Sequence, residues 1–439
     1  MPSKCILIVL DGLADRSFAV LGHRTPLEAA STPNLDALAF LGATGLYQAD
    51  RVGVPLSSQD AHFAMYGYES HERPKRGILE AQAAGVPVGP EDVAVLARLV
   101  SASEERGLLR IVDRRPPAKH QELAELMAEV EAYESEGIRF RFTQVSLHEG
   151  ILVLRGSVSP QVTDTDPLVN GMLMPKPKAW ADAAGDETAL ATARALGQYL
   201  QWVYVRLRGN PVNRAREERG AAPINMFITH LADRWRPMEP FRDRWGFKGL
   251  SISPKLVQWG VASSIGMDSV RVRDSRDPAA DIADRISMAA EKLSAYDFIH
   301  VHSMAPDQAG HTKNPLTKAK VIEALDRGIG KSVDALLNDP ETLVIITADH
   351  ATPSGGPLIH SGETVPLILL GEGVRRDKVT RFNEVECACG SLGQIRGQEL
   401  MLLVVNHLDR AMLRGIRHAP ELRAYWHPCV YEPFRLDGR

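Results

Sequence analysis

Three things are scarce in this sequence. Its 439 residues contain four cysteines and no CxxC pair, they show no internal repeat, and 51 Lys and Arg stand against 55 Asp and Glu for a formal charge of −4. In a chain this long, Cys5, Cys387, Cys389 and Cys429 cannot form a disulfide framework, so reduced and mostly buried thiols are expected. The near balance of charge excludes a broad field drawing the chain to nucleic acid or to an anionic membrane. Any phosphate binding must then be local. The opening MPSKCILIVLDG carries one Lys and an apolar run that stops at Asp11, too short for a signal-peptide core or a membrane span, and a cytoplasmic protein is expected.

What is present is a hydrophobic content of 44%, enough for a sizeable core that a chain of this length ordinarily divides between two domains. Cys5–Leu10 is a continuous apolar run of the kind a strand buried on both faces needs, and it ends on the turn signal Asp11-Gly12. The pattern returns at Phe298–His302 before Asp307, at Leu343–Thr347 before Asp349-His350, and at Val365–Leu370 before Gly371. Helical stretches such as Ile282–Ser294 and Lys318–Leu337 separate these runs. Alternating strands and helices predict an α/β fold with a parallel sheet, whose ligands gather at the carboxyl edge of the strands. The middle has another texture, with a long polar helix predicted over Lys119–Glu136 and an Arg-rich segment at Arg206–Arg219. We therefore expect a core from residues 1–68 and 260–416, an insertion over 69–259, and a tail at 417–439 whose Trp426, Tyr431 and Phe434 follow no clear period.

Asp307 and His311 stand four apart in PDQAGHT, so on a helical turn both face the same way and can share an ion. Alone the pair is weak evidence, because such pairs are common on solvated helix faces. TADH puts Asp349 and His350 together at the end of a buried strand, His360 follows in IHSGE, and Asp11 adds a third carboxylate aimed at the same sheet edge. Converging carboxylates repel unless cations sit between them, and two divalent ions are the economical reading. Mixed Asp/His ligation without cysteine suits Mn²⁺ or Mg²⁺, with Zn²⁺ or Co²⁺ also compatible, and does not choose among them.

VPLSSQDAHFAMYGYE places Ser57 and Ser58 in a loop after a proline and ahead of an apolar stretch able to open a helix. A serine there ordinarily caps the helix. A nearby divalent ion would instead lower the hydroxyl pKa and make Ser58 a nucleophile, and one residue can do both.

These blocks together resemble the archaeal-type cofactor-independent phosphoglycerate mutases of the alkaline phosphatase superfamily. ILIVLDGLADR resembles that family's opening strand and metal Asp, TPLEAASTPNLDALAFLGATG its following helix, and KRGILEAQAAGV its GRGPLEA segment. TDTDP (163–167), PDQAGH, TADHATP, HSGETVPLILLG and CACGSLGQIRGQELM follow in order and spacing, so the likeness covers most of the chain. It implies an alkaline-phosphatase-like parallel-sheet core with an inserted α+β lid. It implies one metal on Asp307, His311 and His360 and another on Asp11, Ser58, Asp349 and His350. Ser58 would pass through a phosphoserine while 3-phosphoglycerate and 2-phosphoglycerate interconvert. The expected partner is a small phosphorylated metabolite, without nucleic acid or membrane, and a homo-oligomer stays open.

The departures fall where a substrate clamp is expected. DRRAGR reads DRRPPAK, keeping Arg114 and Arg115; LLLRG becomes MFITHL with His230; Trp259 and Met304 stand where lysines are usual; DPH is Asp166-Pro167-Leu168; and the serine loop reads Ser57-Ser58-Gln59 in place of glycine, serine and an acidic residue. Each lost charge-assisted phosphate contact costs about 1.5–3 kcal/mol. Arg76, Arg155 and the Arg206–Arg219 cluster are left to take an anion, and the candidate substrate-binding residues are Arg76, Arg114, Arg115, Arg155 and Asp166. Beside the mutase, the sequence leaves open a metal-dependent phosphatase or phosphodiesterase acting on another phosphorylated metabolite, and a catalytically idle binding protein that keeps the fold.

Overall fold

The structure is a computed structural model that describes residues 2–411 and 436, so the expected tail lies almost wholly outside the described residues. The chain divides into two compact units, Met1–Arg73 with Met238–Arg439, and Pro74–Pro237.

The first unit is built on an eight-stranded sheet. Lys4–Leu10 has six of its seven residues buried and lies between Phe298–Ser303 and Thr342–Thr347, parallel to both. The apolar run Cys5–Leu10 suits that place, because helices cover both faces of a parallel sheet and leave no solvated side. Gly249–Ser253 joins outside Phe298–Ser303, also in parallel. That pairing explains why the chain re-enters this unit at 238, earlier than the 260 expected from composition. Val365–Leu370 departs from the parallel pattern expected of it, running antiparallel to both Thr342–Thr347 and Ala43–Gln48. Its entry, not its exit, therefore meets the carboxyl ends of the neighbouring strands, which brings the loop before it to the functional edge. Two helices, Pro278–Lys292 and Pro315–Ser332, pack on each other and the first also on Phe298–Ser303. Asp277 and Asn314 cap them by accepting from backbone N–H groups of the first turn.

The second unit is an antiparallel sheet in which Val93–Glu105 is central, paired with Leu108–Asp113, Glu149–Arg155 and Met226–Arg234. Its side chains alternate as the pleat requires. Val93, Val95, Ala97 and Leu99 enter a core shared with helix Glu187–Arg208, whereas Ala94 and Leu96 pack with Ile78 and Ala81 of helix Arg76–Ala84. The helix predicted over Lys119–Glu136 stops at Ala128, and Ala132–Ser135 is a strand paired with Ile138–Gln144. Glu136 at φ 52 and Gly137 at φ 73 form the tight turn between them, and a twisted hairpin of this kind favours such positive φ values. Among the described residues no helix is long and apolar enough to cross a membrane.

Candidate metal centre and nucleophile

Asp11 follows the last residue of Lys4–Leu10 and is fully buried. Asp349 and His350 follow Thr342–Thr347, the parallel neighbour, so strand register alone puts these carboxylates side by side. Asp349 Oδ1 accepts from the backbone N–H of Gly12 at 3.1 Å and of His350 at 3.0 Å. Its Oδ2 and Oδ1 of Asp11 are buried with no hydrogen-bond partner among the described residues. Two buried anionic oxygens without donors are costly unless a cation takes them. His350 Nε2 stands 3.3 Å from each carboxylate.

The helix Ala305–His311 carries Asp307 and His311 on one side, with His311 Nε2 3.2 Å and His360 Nε2 3.6 Å from Asp307 Oδ1. His360 lies in the loop entering the antiparallel strand, and its Nδ1 is 2.8 Å from the carbonyl oxygen of Leu56. A carbonyl only accepts, so Nδ1 donates, and Nε2 is the nitrogen turned toward Asp307. Donor atoms of Asp307, His350 and His360 lie within 4.8 Å of one another, as do those of Asp11, Asp349 and His350. His350 belongs to both groups, whereas His311 touches Asp307 but lies outside either triplet, with its side chain 39% exposed.

The protonation pattern fits cations. Burial first, then the charges of Asp349 and Asp307, push the Asp11 carboxyl well above the usual range. Burial acts the same way on Asp307, but hydrogen bonds from His311 and His360 outweigh it and hold that carboxyl well below the usual range. Burial pushes His350 down to about 4, leaving a neutral imidazole, the form a metal requires.

Ser57 and Ser58 have separate tasks. Ser57 is the N-cap of helix Ser58–Met65, accepting from the backbone N–H of Asp60. Ser58, one residue inside, is thereby free of capping, and its Oγ lies 3.0 Å from His350 Nε2. The loops that hold these groups converge on Lys318, whose buried ammonium donates to the carbonyls of Ala14 and Thr352 and to Asp15. Thr352 in turn donates through Oγ1 to Asp307 at 2.7 Å. Gly12, at φ +63, has no room for a side chain, since a Cβ would meet Thr352 Oγ1 at 2.4 Å and Asp307 Cβ at 2.9 Å. Gly12→Ala is expected to lower stability by roughly 1–3 kcal/mol from strain and overpacking. Thermal unfolding with and without Mn²⁺ checks this, and an unchanged melting temperature would show that the loop yields.

A model of the metalloenzyme superfamily matches residues 3–407. The chain is 37% identical to 2,3-bisphosphoglycerate-independent phosphoglycerate mutase 2 of Methanocaldococcus jannaschii, over 99% of this chain and 100% of that one. It is 34% identical to the 2,3-bisphosphoglycerate-independent phosphoglycerate mutase of Methanopyrus kandleri, over 93% of this chain and 97% of that one. This chain belongs to that mutase family. A solved cofactor-independent phosphoglycerate mutase from Thermoplasma acidophilum superposes with a TM-score of 0.60 at 27% identity, covering 92% of this chain and all of that one.

Mutase family membership directs attention to the basic residues of the second unit, and here the structure separates the candidates. Arg76 pairs with Glu80, Arg114 forks onto Asp166, and the guanidinium of Arg115 makes no hydrogen bond or close ion pair among the described residues, although Glu149 feels its charge. Buried Arg98, which the sequence reading did not single out, pairs with Glu149. Burial raises Glu149, yet Arg98, Arg76 and Arg115 together hold it down at about 2. His230 lies among the same charges, pushed to about 4 by burial first and then by Arg76 and Arg98. Arg155 does not join them, because it stands at the other end of strand Glu149–Arg155, bound to Asp92 at 3.0 Å. The Arg206–Arg219 cluster is also spoken for. Arg206 pairs with Glu129, Arg208 with Glu104, and Arg216 and Arg219 with Glu122, so these four already have carboxylate partners, and Arg214 donates to the carbonyl of Gly209. In the first unit Trp259 donates to the carbonyl of Ser253 and lies under Arg271, while Met304 Sδ rests 3.2 Å from His302 Nε2.

Proposed function

We propose that the chain interconverts 3-phosphoglycerate and 2-phosphoglycerate through a phosphoserine on Ser58. The observation that carries this reading is Ser58 Oγ at 3.0 Å from His350 Nε2, beside two buried carboxylate oxygens without donors. Asp307, His311 and His360 would hold one divalent ion and Asp11, Ser58, Asp349 and His350 the other. When bound, the ions lower the serine hydroxyl pKa and offset charge on the phosphate oxygens. Ser58 Oγ attacks phosphorus and the bond to the 3-oxygen of glycerate breaks. The 2-hydroxyl then attacks the phosphoserine, and Ser58 regains its hydroxyl.

Water must stay out of that cycle, since it would turn the phosphoserine into free phosphate. Purified protein with Mn²⁺ or Mg²⁺ and 3-phosphoglycerate should yield 2-phosphoglycerate without phosphate release. Phosphate release instead, on this or a generic phosphomonoester, would make the chain a hydrolase, and the missing lysines at Trp259 and Met304 are the observation favouring that second reading. Of the basic residues, Arg115 is the one proposed to take the substrate's anionic group, because Arg76, Arg98 and Arg114 already have carboxylate partners. Arg115→Ala should raise KM about tenfold or more, the loss of one charge-assisted contact, while the melting temperature stays put. An unchanged KM removes Arg115 from the site.

A further inference from the structure

His62, His300 and His302 form a second cluster outside the ligand set described above. All three are at most 1% exposed, and donor atoms of the three lie within 4.8 Å of one another. His62 comes from the helix that Ser58 opens, and His300 and His302 are alternate residues of strand Phe298–Ser303, so their side chains share one face of the sheet.

The hydrogen positions make the cluster unusual. His62 Nδ1 is 2.6 Å from the carbonyl oxygen of Ser58, which only accepts, so Nδ1 carries the hydrogen and Nε2 is bare. His302 Nε2 is 3.1 Å from Asp11 Oδ2. The Gln258 amide and Met304 Sδ meet the same nitrogen at 3.3 and 3.2 Å, so Nε2 faces away from the cluster and Nδ1 is the atom turned toward His62. The bare His62 Nε2 and His302 Nδ1 face each other at 3.2 Å. His300 binds Ser251 through Nδ1 at 3.0 Å, and its buried Nε2 has no partner among the described residues. Two imidazole nitrogens held by one tetrahedral ion at about 2.0–2.1 Å stand about 3.3–3.4 Å apart, so the spacing is that of co-ligands. Burial, first, and the neighbouring His62 hold His300 well below the ordinary range, in the neutral form that ligates.

We infer that His62, His300 and His302 form a third metal site, separate from the carboxylate-rich pair and selective for a borderline ion such as Zn²⁺. Three neutral imidazoles with no carboxylate suit Zn²⁺ far better than Mg²⁺ or Mn²⁺. The ion would touch His302, whose Nε2 lies 3.1 Å from Asp11, and His62, whose backbone turn carries Ser58, so it would stiffen the nucleophile's helix from beneath.

Chelator-treated whole protein is dialysed against Zn²⁺, and bound metal per chain is measured by mass spectrometry for the wild type, His300→Leu and Asp349→Asn. Three equivalents in the wild type, two in His300→Leu, and a third equivalent retained under competition with excess Mg²⁺ are expected. A wild type with two equivalents, unchanged in His300→Leu, overturns the third site and leaves the carboxylate centre standing. One equivalent that His300→Leu abolishes and Asp349→Asn keeps would instead retain the third site and remove that centre. Should His300→Leu fail to fold, an anomalous difference map at the zinc edge on wild-type crystals decides the question, and no peak between the three rings overturns the inference.

Discussion

Ser58→Ala should cut kcat by at least about 10³-fold and leave no phosphorylated chain to be trapped, because the nucleophile has no substitute within reach. The neighbouring Ser57→Ala gives the opposite pattern. Ser57 accepts the Asp60 N–H and closes the first turn of the helix, so its loss should lower stability by about 1 kcal/mol and change the rate little. Ser58 makes no capping bond, and its replacement should leave the melting temperature where it was. The pair separates the two roles that a serine before a helix can play. Acid quench with labelled 3-phosphoglycerate, followed by mass analysis of the chain, reads the phosphoserine directly. A Ser58→Ala protein that still exchanges the phosphoryl group at the wild-type rate would sink the nucleophile assignment, whatever the metal content.

Legibility in the sequence tracks how local the determining physics is. Asp11 and Asp349 can be found because a doubly buried strand must be aliphatic and must end, and the first polar residues after it lie at the sheet edge. Asp307 and His311 follow from helical spacing alone. His360 is different, since it reaches the same edge only because Val365–Leu370 runs antiparallel, a fact of pairing that no local pattern carries. His62, His300 and His302 sit inside a helix and a strand at positions that read as core, and Lys318 lies mid-helix where a lysine ordinarily faces water. Their meaning depends on partners some 300 residues away, as in the Lys318 bond to Ala14.

The inserted unit shows the same limit from the other side. Lys119–Glu136 has a composition suited to a helix, yet the Glu136-Gly137 turn and the alternation of Ile138–Gln144 recruit its second half into a hairpin. The arginines of Arg206–Arg219 look like anion ligands until their carboxylate partners on other elements are known. Conversely Arg98, at an unremarkable strand position, proves buried and paired with Glu149, and together with Arg76 it lowers His230. Charge on a surface can be counted from sequence; whether it is already neutralised cannot.

Asp11→Asn should change stability in opposite directions with and without metal. In chelated protein the Asp11 carboxyl is fully buried, has an oxygen with no donor, and stands against Asp349 and Asp307, so folding must either protonate it or bear the repulsion. Asparagine has similar shape and no charge, can still accept from His302, and removes that burden. The metal-free variant should therefore melt a few degrees above the metal-free wild type. With saturating Mn²⁺ the order inverts. The wild type gains the stabilisation that comes from binding an ion only when folded, while the variant has lost an anionic ligand and most of that gain. Outer-shell partners of metal ligands alone typically cost 10–100-fold in affinity, so loss of the ligand itself should lower affinity and kcat by more than about 100-fold. Melting curves of both proteins in chelator and in Mn²⁺ measure all four states. If Asp11→Asn is the less stable protein in chelator as well, the Asp11 carboxylate is satisfied by the chain alone and its crowded, donor-poor oxygen calls for no cation.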